Sequence, residues 1–155
     1  DHIRHALAEN DLGPEHLCLE LTESILMRDT ARTAATLDVL HRLGVQLSID
    51  DFGTGYSSLA YLHRFPVDEL KIDRSFINNI AEDGQQRSLV TAMIAMGKAL
   101  GLQIVAEGVE QQVQADLLRE LGCHMAQGYL FARPQPADGL ASVLRRTTAA
   151  PTSCS

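Results

Sequence analysis

Long apolar runs are missing from this chain: nowhere among its 155 residues do eighteen apolar residues follow one another, and no basic, apolar, small-residue leader opens it. These absences predict neither a membrane span nor a signal peptide, and hence a cytoplasmic location. Positive charge is also scarce. Thirteen Lys and Arg against twenty Asp and Glu give a formal net charge of −7, which argues against DNA as a partner, because duplex binding depends on neutralising phosphates with Lys and Arg. A phosphate-bearing ligand would then need a metal. The three cysteines, Cys18, Cys123 and Cys154, show no CxxC spacing and read as reduced, structural thiols. The six histidines are scattered, only His2 and His5 falling at helical spacing, so no histidine metal site is expected.

What is present is one domain's worth of core-forming material, 45% hydrophobic. The chain opens inside a helix, with Ile3 and Leu7 at i, i+4, and turns at residues 11–14. Residues 17–21 form a short apolar run interrupted by Glu20, a first strand with an acid near its end. Asp29 or Thr30 can cap a helix running to Leu43, with Ala34, Leu37 and Leu40 on one stripe and Gly44 as its stop. A second strand follows, then a glycine-rich loop, a short helix over residues 57–64, and a third strand over residues 69–73, where Lys71 and Asp73, two apart, share a face. Residues 88–100 give the clearest helical stripe, with Val90, Met93, Ile94 and Gly97. Residues 103–110 make a fourth strand ending in acid and glycine, Val113, Leu117, Leu118 and Leu121 a further helix stripe, and residues 124–131 a fifth strand. The domain is expected to span residues 1–146, with a small, polar, disordered tail at 147–155.

Leu43-Gly44, Leu100-Gly101 and Leu121-Gly122 each close a helix and open a strand. A polar residue then follows at a near-constant offset: six residues from Gly44 to Asp50, six from Gly101 to Glu107, and five from Gly122 to Gln127. Such alternation of helix and buried strand implies an α/β fold with a parallel sheet and helical crossovers, whose ligands bind at the C-terminal strand edge. Five units are too few to close an eight-stranded barrel of about 250 residues, so the sheet is either open or part of a larger one.

The second strand is the centre of interest. Its apolar run ends in Asp50-Asp51, followed by Phe52-Gly53-Thr54-Gly55-Tyr56-Ser57. Neighbouring strand residues point to opposite faces, so the two acids can share one hard cation only if the strand breaks there, which Gly53 permits. A solvated turn capping a helix is the plainer alternative. On the parallel reading Glu20, Glu23, Asp50, Asp51, Lys71, Asp73, Glu107, Glu110 and Gln127 converge on one rim. So many carboxylates call for Mg²⁺ or Mn²⁺, and two such ions sharing one carboxylate could bind phosphate oxygens and acidify a bridging water, the chemistry of phosphodiester hydrolysis. Each residue also has a structural alternative: Glu23 and Glu110 as helix caps, Asp73 as a partner of Lys71, Gln127 as a backbone ligand.

Glu20-Leu21-Thr22-Glu23, the run Asp50 to Leu59, Leu70-Lys71-Ile72-Asp73, Glu107-Gly108-Val109-Glu110 and Gln127-Gly128-Tyr129 resemble, in order, the motifs of the EAL-domain family of bacterial cyclic di-GMP phosphodiesterases. The resemblance implies a modified (β/α)₈, TIM-barrel-like fold, of which this chain supplies about the last five β/α units. It implies hydrolysis of cyclic di-GMP to linear pGpG with two metal ions. Glu20 and Asp50 would ligate the first, Asp50 would bridge, and Asp51 and Glu107 would serve the second, Glu107 having also a general-base assignment. Lys71 would orient the attacking water or steady phosphate charge, and Gln127 would stand near water and substrate. Glu23 would brace the loop of Phe52, Gly53, Thr54, Gly55, Tyr56 and Ser57, which reaches a homodimer interface. Regulatory domains such as GGDEF or sensor modules are compatible partners. The family's Glu-Ala-Leu signature and an Asn from an early strand have no counterpart here, so the stretch alone is expected to bind metal and cyclic di-GMP weakly. A non-catalytic cyclic di-GMP sensor is the alternative, and a metal-dependent lyase using Lys71 as base a more distant one.

Overall fold

A computed structural model describes residues 2–22, 25, 30–54 and 64–136. Helix α1 (His2–Glu9) and a 3₁₀ turn (Pro14–His16) lead into strand β1 (Cys18–Thr22). There follow α2 (Thr30–Leu43), β2 (Gln46–Phe52), β3 (Glu69–Ile72), α3 (Arg74–Ile77), α4 (Gly84–Ala99), β4 (Gln103–Ala106), α5 (Gln112–Glu120) and β5 (Met125–Ala126). The five strands form one parallel sheet in sequence order, β1-β2-β3-β4-β5. This is the expected α/β arrangement.

The helix-to-strand glycines explain why the repeat was visible. Gly44, Gly101 and Gly122 all take positive φ, at 92°, 74° and 76°, the left-handed conformation that ends a helix and that a side chain resists. Each lets the chain reverse at once into the next strand.

Side-chain alternation then divides the sheet. Leu47 and Ile49, Leu70 and Ile72, and Ile104 and Ala106 belong to the hydrophobic core, and the partly buried Leu19 and Leu21 pack against it. Helix residues pack on them, Leu37 from α2 and Val90, Met93 and Ile94 from α4. The intervening residues necessarily face the other way. Glu20, Ser48, Glu69 and Gln103 stand in register across four strands, and Lys71 pairs with Val105 one step nearer the C-terminal rim. One face is thus hydrocarbon and the other largely polar.

Several boundaries differ from the sequence reading. The third strand stops at Ile72, and Asp73 belongs to the next element: its carboxylate accepts from Ser75 N at 2.9 Å and caps α3. It is therefore a cap and not the partner of Lys71. Helix α4 begins at Gly84 and not at 88, because Asp83 caps it through Gln85 N and Gln86 N. The fourth strand ends at Ala106. The fifth strand holds two residues only, because the chain leaves the ladder after Ala126 to fold over Val109: Val109 N donates to Gln127 O and Leu130 N to Val109 O, both at 3.0 Å. A Cβ at Gly128 would overlap the Val109 backbone. Glu23, the loop residues Gly55, Tyr56 and Ser57, most of the helix expected over 57–64, and the tail at 147–155 lie outside the described residues.

Candidate functional site

The polar sheet face ends at the C-terminal rim in a cluster built around Lys71. Its ammonium lies 2.6 Å from Glu20 Oε1, 2.7 Å from Glu107 Oε1 and 3.1 Å from Asp50 Oδ1. These acids come from β1, β2 and the residue after β4, so β3 places the lysine between its neighbours. Its side chain is 7% exposed, against 53% for Glu20, 24% for Asp50 and 17% for Glu107. Burial alone pulls the ammonium's pKa down, but the surrounding Glu107, Glu20 and Asp50 carboxylates outweigh it and hold it above lysine's ordinary value. Lys71 is therefore a fixed positive charge at neutral pH.

The bonds to Glu20 and the contact with Asp50 differ in kind. The first is a directed hydrogen bond, whereas the second is a longer ion pair poorly angled for a hydrogen bond, which leaves the buried Asp50 Oδ1 with the ammonium as its one charged neighbour and no well-directed donor.

Asp51 reaches the same place by a break in the strand. The β2–β3 register runs Ser48 to Glu69 and Ile49 to Leu70, then shifts so that Phe52 meets Ile72. Asp50 and Asp51 together stand against the single residue Lys71, a β-bulge. Asp51 itself carries the distortion, with φ of 54°, a conformation that Asp tolerates better than most residues. Thr54 secures it, donating to Asp51 O from its amide at 3.3 Å and its hydroxyl at 2.9 Å. Gly53, the residue that permits a break at the two acids, does take positive φ. It is packed so closely that a Cβ there would press on Met93 and Phe76.

Asp50, Asp51 and Glu107 consequently each offer a carboxylate oxygen within 4.8 Å of the others. An all-oxygen donor set that includes a buried oxygen without a well-directed hydrogen bond fits a hard divalent cation. Glu20, expected beside Asp50, stands outside this trio and against Lys71. Gln127 orients Glu107, donating from Nε2 to Oε1 at 2.6 Å, while its own amide is held by Ala106 O.

Beside Glu107 opens a cavity of about 470 Å³, lined among others by Arg74, Glu110, Gln127, Tyr129 and Arg133. The Arg133 guanidinium lies 4.5 Å from the centre of the Tyr129 ring. Glu110 therefore faces this cavity. The two arginines were not singled out from the sequence, though Arg74 directly follows Asp73 and Arg133 precedes Pro134. Ser48 and Glu69, joined at 2.8 Å beneath the rim, were also missed. Counting alternate residues back from Asp50 and Lys71 identifies both.

The fold and site thus define an α/β protein with an acidic, cation-ready rim at the C-terminal ends of parallel strands. The EAL domain family matches residues 1–134, and the chain belongs to that family. It is 51% identical over 153 residues to the cyclic di-GMP phosphodiesterase NbdA of Pseudomonas aeruginosa, covering 97% of this chain and 20% of that protein. Among solved structures it resembles the MucR phosphodiesterase in complex with c-di-GMP, at 52% identity and a TM-score of 0.85, over 89% of this chain and 56% of that one. A Klebsiella pneumoniae BlrP1 complex with manganese and cy-diGMP matches at 33% identity and a TM-score of 0.79, over 85% and 34% of the two chains. The chain spans about a fifth of the length of the curated relative.

Proposed function

We propose that this chain contributes the catalytic rim of a cyclic di-GMP phosphodiesterase that forms linear pGpG in bacterial second-messenger signalling. The observation that carries the reading is the Asp50, Asp51 and Glu107 trio at the strand ends, two of whose members also contact the buried Lys71. Asp50, Asp51 and Glu107 would hold Mg²⁺ or Mn²⁺, with Glu20 beside them on Lys71. Such ions supply a nucleophilic hydroxide near neutral pH and neutralise charge on the phosphate.

The protein's own groups do the remaining work. Gln127 fixes the Glu107 carboxylate, which serves as ligand or as base toward the attacking water. Lys71 keeps a positive charge beside the rim, where negative charge grows as the phosphodiester is attacked. Arg74 and Arg133 bring positive charge to the cavity margin and Tyr129 an aromatic surface, a combination suited to a nucleotide bearing phosphate. The Phe52–Ser57 loop, carrying the bulge at its base, would couple the rim to a homodimer contact. Other domains of the full-length protein, GGDEF or sensory modules, would regulate it.

Among the described residues no helix is long and apolar enough to cross a membrane. The proposed activity is that of the full-length protein; the 155 residues alone, spanning 56% of the MucR structure, are expected to turn over substrate slowly. Incubating the full-length protein with cyclic di-GMP and Mn²⁺ or Mg²⁺, then separating products chromatographically, tests the reading. pGpG should accumulate and chelator should stop it. Calorimetric binding without pGpG would make the protein a sensor instead.

A further inference from the structure

Lys71 occupies a position with consequences beyond steadying a phosphate. Among the described residues no other lysine or arginine forms an ion pair with Glu20, Asp50 or Glu107. The ammonium, withdrawn from water, is tolerated because carboxylates surround it, and Asp50 and Glu107, at 24% and 17% exposed, share with Glu20 its single positive charge. Two of the lysine's three partners, Asp50 and Glu107, are also two of the three acids that fit a divalent ion. The same carboxylates therefore suit two cations.

An ammonium near the ligands of a dication is repelled by it, and the effect is strong where the lysine is 7% exposed and screening is weak. Glu20, outside the trio and 53% exposed, offers the lysine a partner that it can keep. We infer that Lys71 is a resident counter-cation that competes with divalent metal for Asp50 and Glu107. It holds the rim together before an ion arrives, and yields its share of those two carboxylates while keeping Glu20 as the ion binds. Its charge sets the metal concentration at which the site loads. This inference rests on the reading of the rim as a metal site, but it makes a claim of its own, since a lysine that only preorganised the acids would favour metal binding.

The test is calorimetric titration of Mn²⁺ into chelator-stripped full-length protein, comparing wild type with Lys71→Met and Lys71→Gln. Thermal unfolding in chelator and in Mn²⁺ is measured alongside. Removing the positive charge should tighten Mn²⁺ binding by roughly tenfold, the scale expected from relieving one charge repulsion at a partly screened site. In chelator both variants should melt below wild type, and Mn²⁺ should raise their melting temperatures more than it raises that of wild type. Equal or weaker Mn²⁺ binding in a folded variant overturns the inference. A variant that folds only with Mn²⁺ supports it, and failure of both variants to fold even with Mn²⁺ overturns it. Wild-type protein that takes up no Mn²⁺ would instead strike the functional reading itself.

Discussion

The two faces of the same sheet follow opposite rules. On the helix-covered face Leu47, Ile49, Leu70, Ile72 and Ile104 are all 0% exposed, and each contributes about 2 kcal/mol by leaving water. On the other face their immediate neighbours are Ser48, Asp50, Glu69 and Lys71, and burial there is a cost offset only by pairing: Ser48 with Glu69, Lys71 with three carboxylates. Stability is thus concentrated on one side of each strand and chemistry on the other, one residue apart. The bulge at Asp51 is where this separation is broken on purpose of geometry, since it turns two consecutive acids toward one rim.

Neighbouring substitutions across this divide should therefore have unlike effects. Asp50→Asn in the full-length protein keeps the side chain's shape while weakening an anionic oxygen donor. Hydrolysis should fall on the order of 10³-fold, about 4 kcal/mol of barrier, with a stability change within about 1 kcal/mol by urea unfolding. Near-normal turnover would return Asp50-Asp51 to the role of a turn. Ile49→Ala should do the reverse. It empties a core position, costs about 3 kcal/mol of stability, and leaves Mn²⁺ affinity nearly unchanged in the protein that remains folded; a large loss of affinity would show that the two faces are coupled. Gln127→Leu is intermediate. Glu107 loses its 2.6 Å hydrogen bond, and metal affinity or turnover should fall about 10- to 100-fold, as for other groups that orient a ligand. Calorimetry and steady-state rates on the same preparation distinguish the two.

How legible these faces were depended on whether their causes were local. The helix, glycine, strand repeat could be read because a left-handed helix end is a demand on one residue, met at Gly44, Gly101 and Gly122. Asp50, Glu107 and Gln127 stood at matching offsets because each lies near or just past the C-terminal end of its strand, and the structure brings them together with Glu20 at one rim. A strand break was readable as a condition that Gly53 permits, but its form as a register shift was not, since it depends on how β2 meets β3 and Asp51 carries no mark of its φ. The three-way pairing of Lys71 likewise draws on residues 51, 21 and 36 positions away. The fifth strand was drawn too long because its apolar residues, including Leu130, are used in packing over the Val109 turn and not in the ladder. The start of α4 was placed late because its first turn, Gly84-Gln85-Gln86-Arg87, has no apolar stripe. Only the Asp83 cap announces it.

Asp73 gives the smallest expected effect and the sharpest boundary between the faces, since it stands two residues after Lys71 yet caps α3. Asp73→Ala removes the acceptor for Ser75 N, at 2.9 Å, and should cost about 1 kcal/mol. The sign of its pH dependence follows from its surroundings. Partial burial opposes ionisation, but hydrogen bonds from Ser75 and Arg74 and the Arg74 charge outweigh it and hold the carboxyl below its ordinary range. A group whose pKa is lower in the folded state stabilises the protein fully above its unfolded pKa of about 3.9 and loses that contribution as pH falls through the folded value. Urea midpoints of wild type and Asp73→Ala should therefore lie furthest apart near pH 7 and approach one another toward pH 3. A gap that widened in acid would mean that Asp73 is held by something other than the ionised cap.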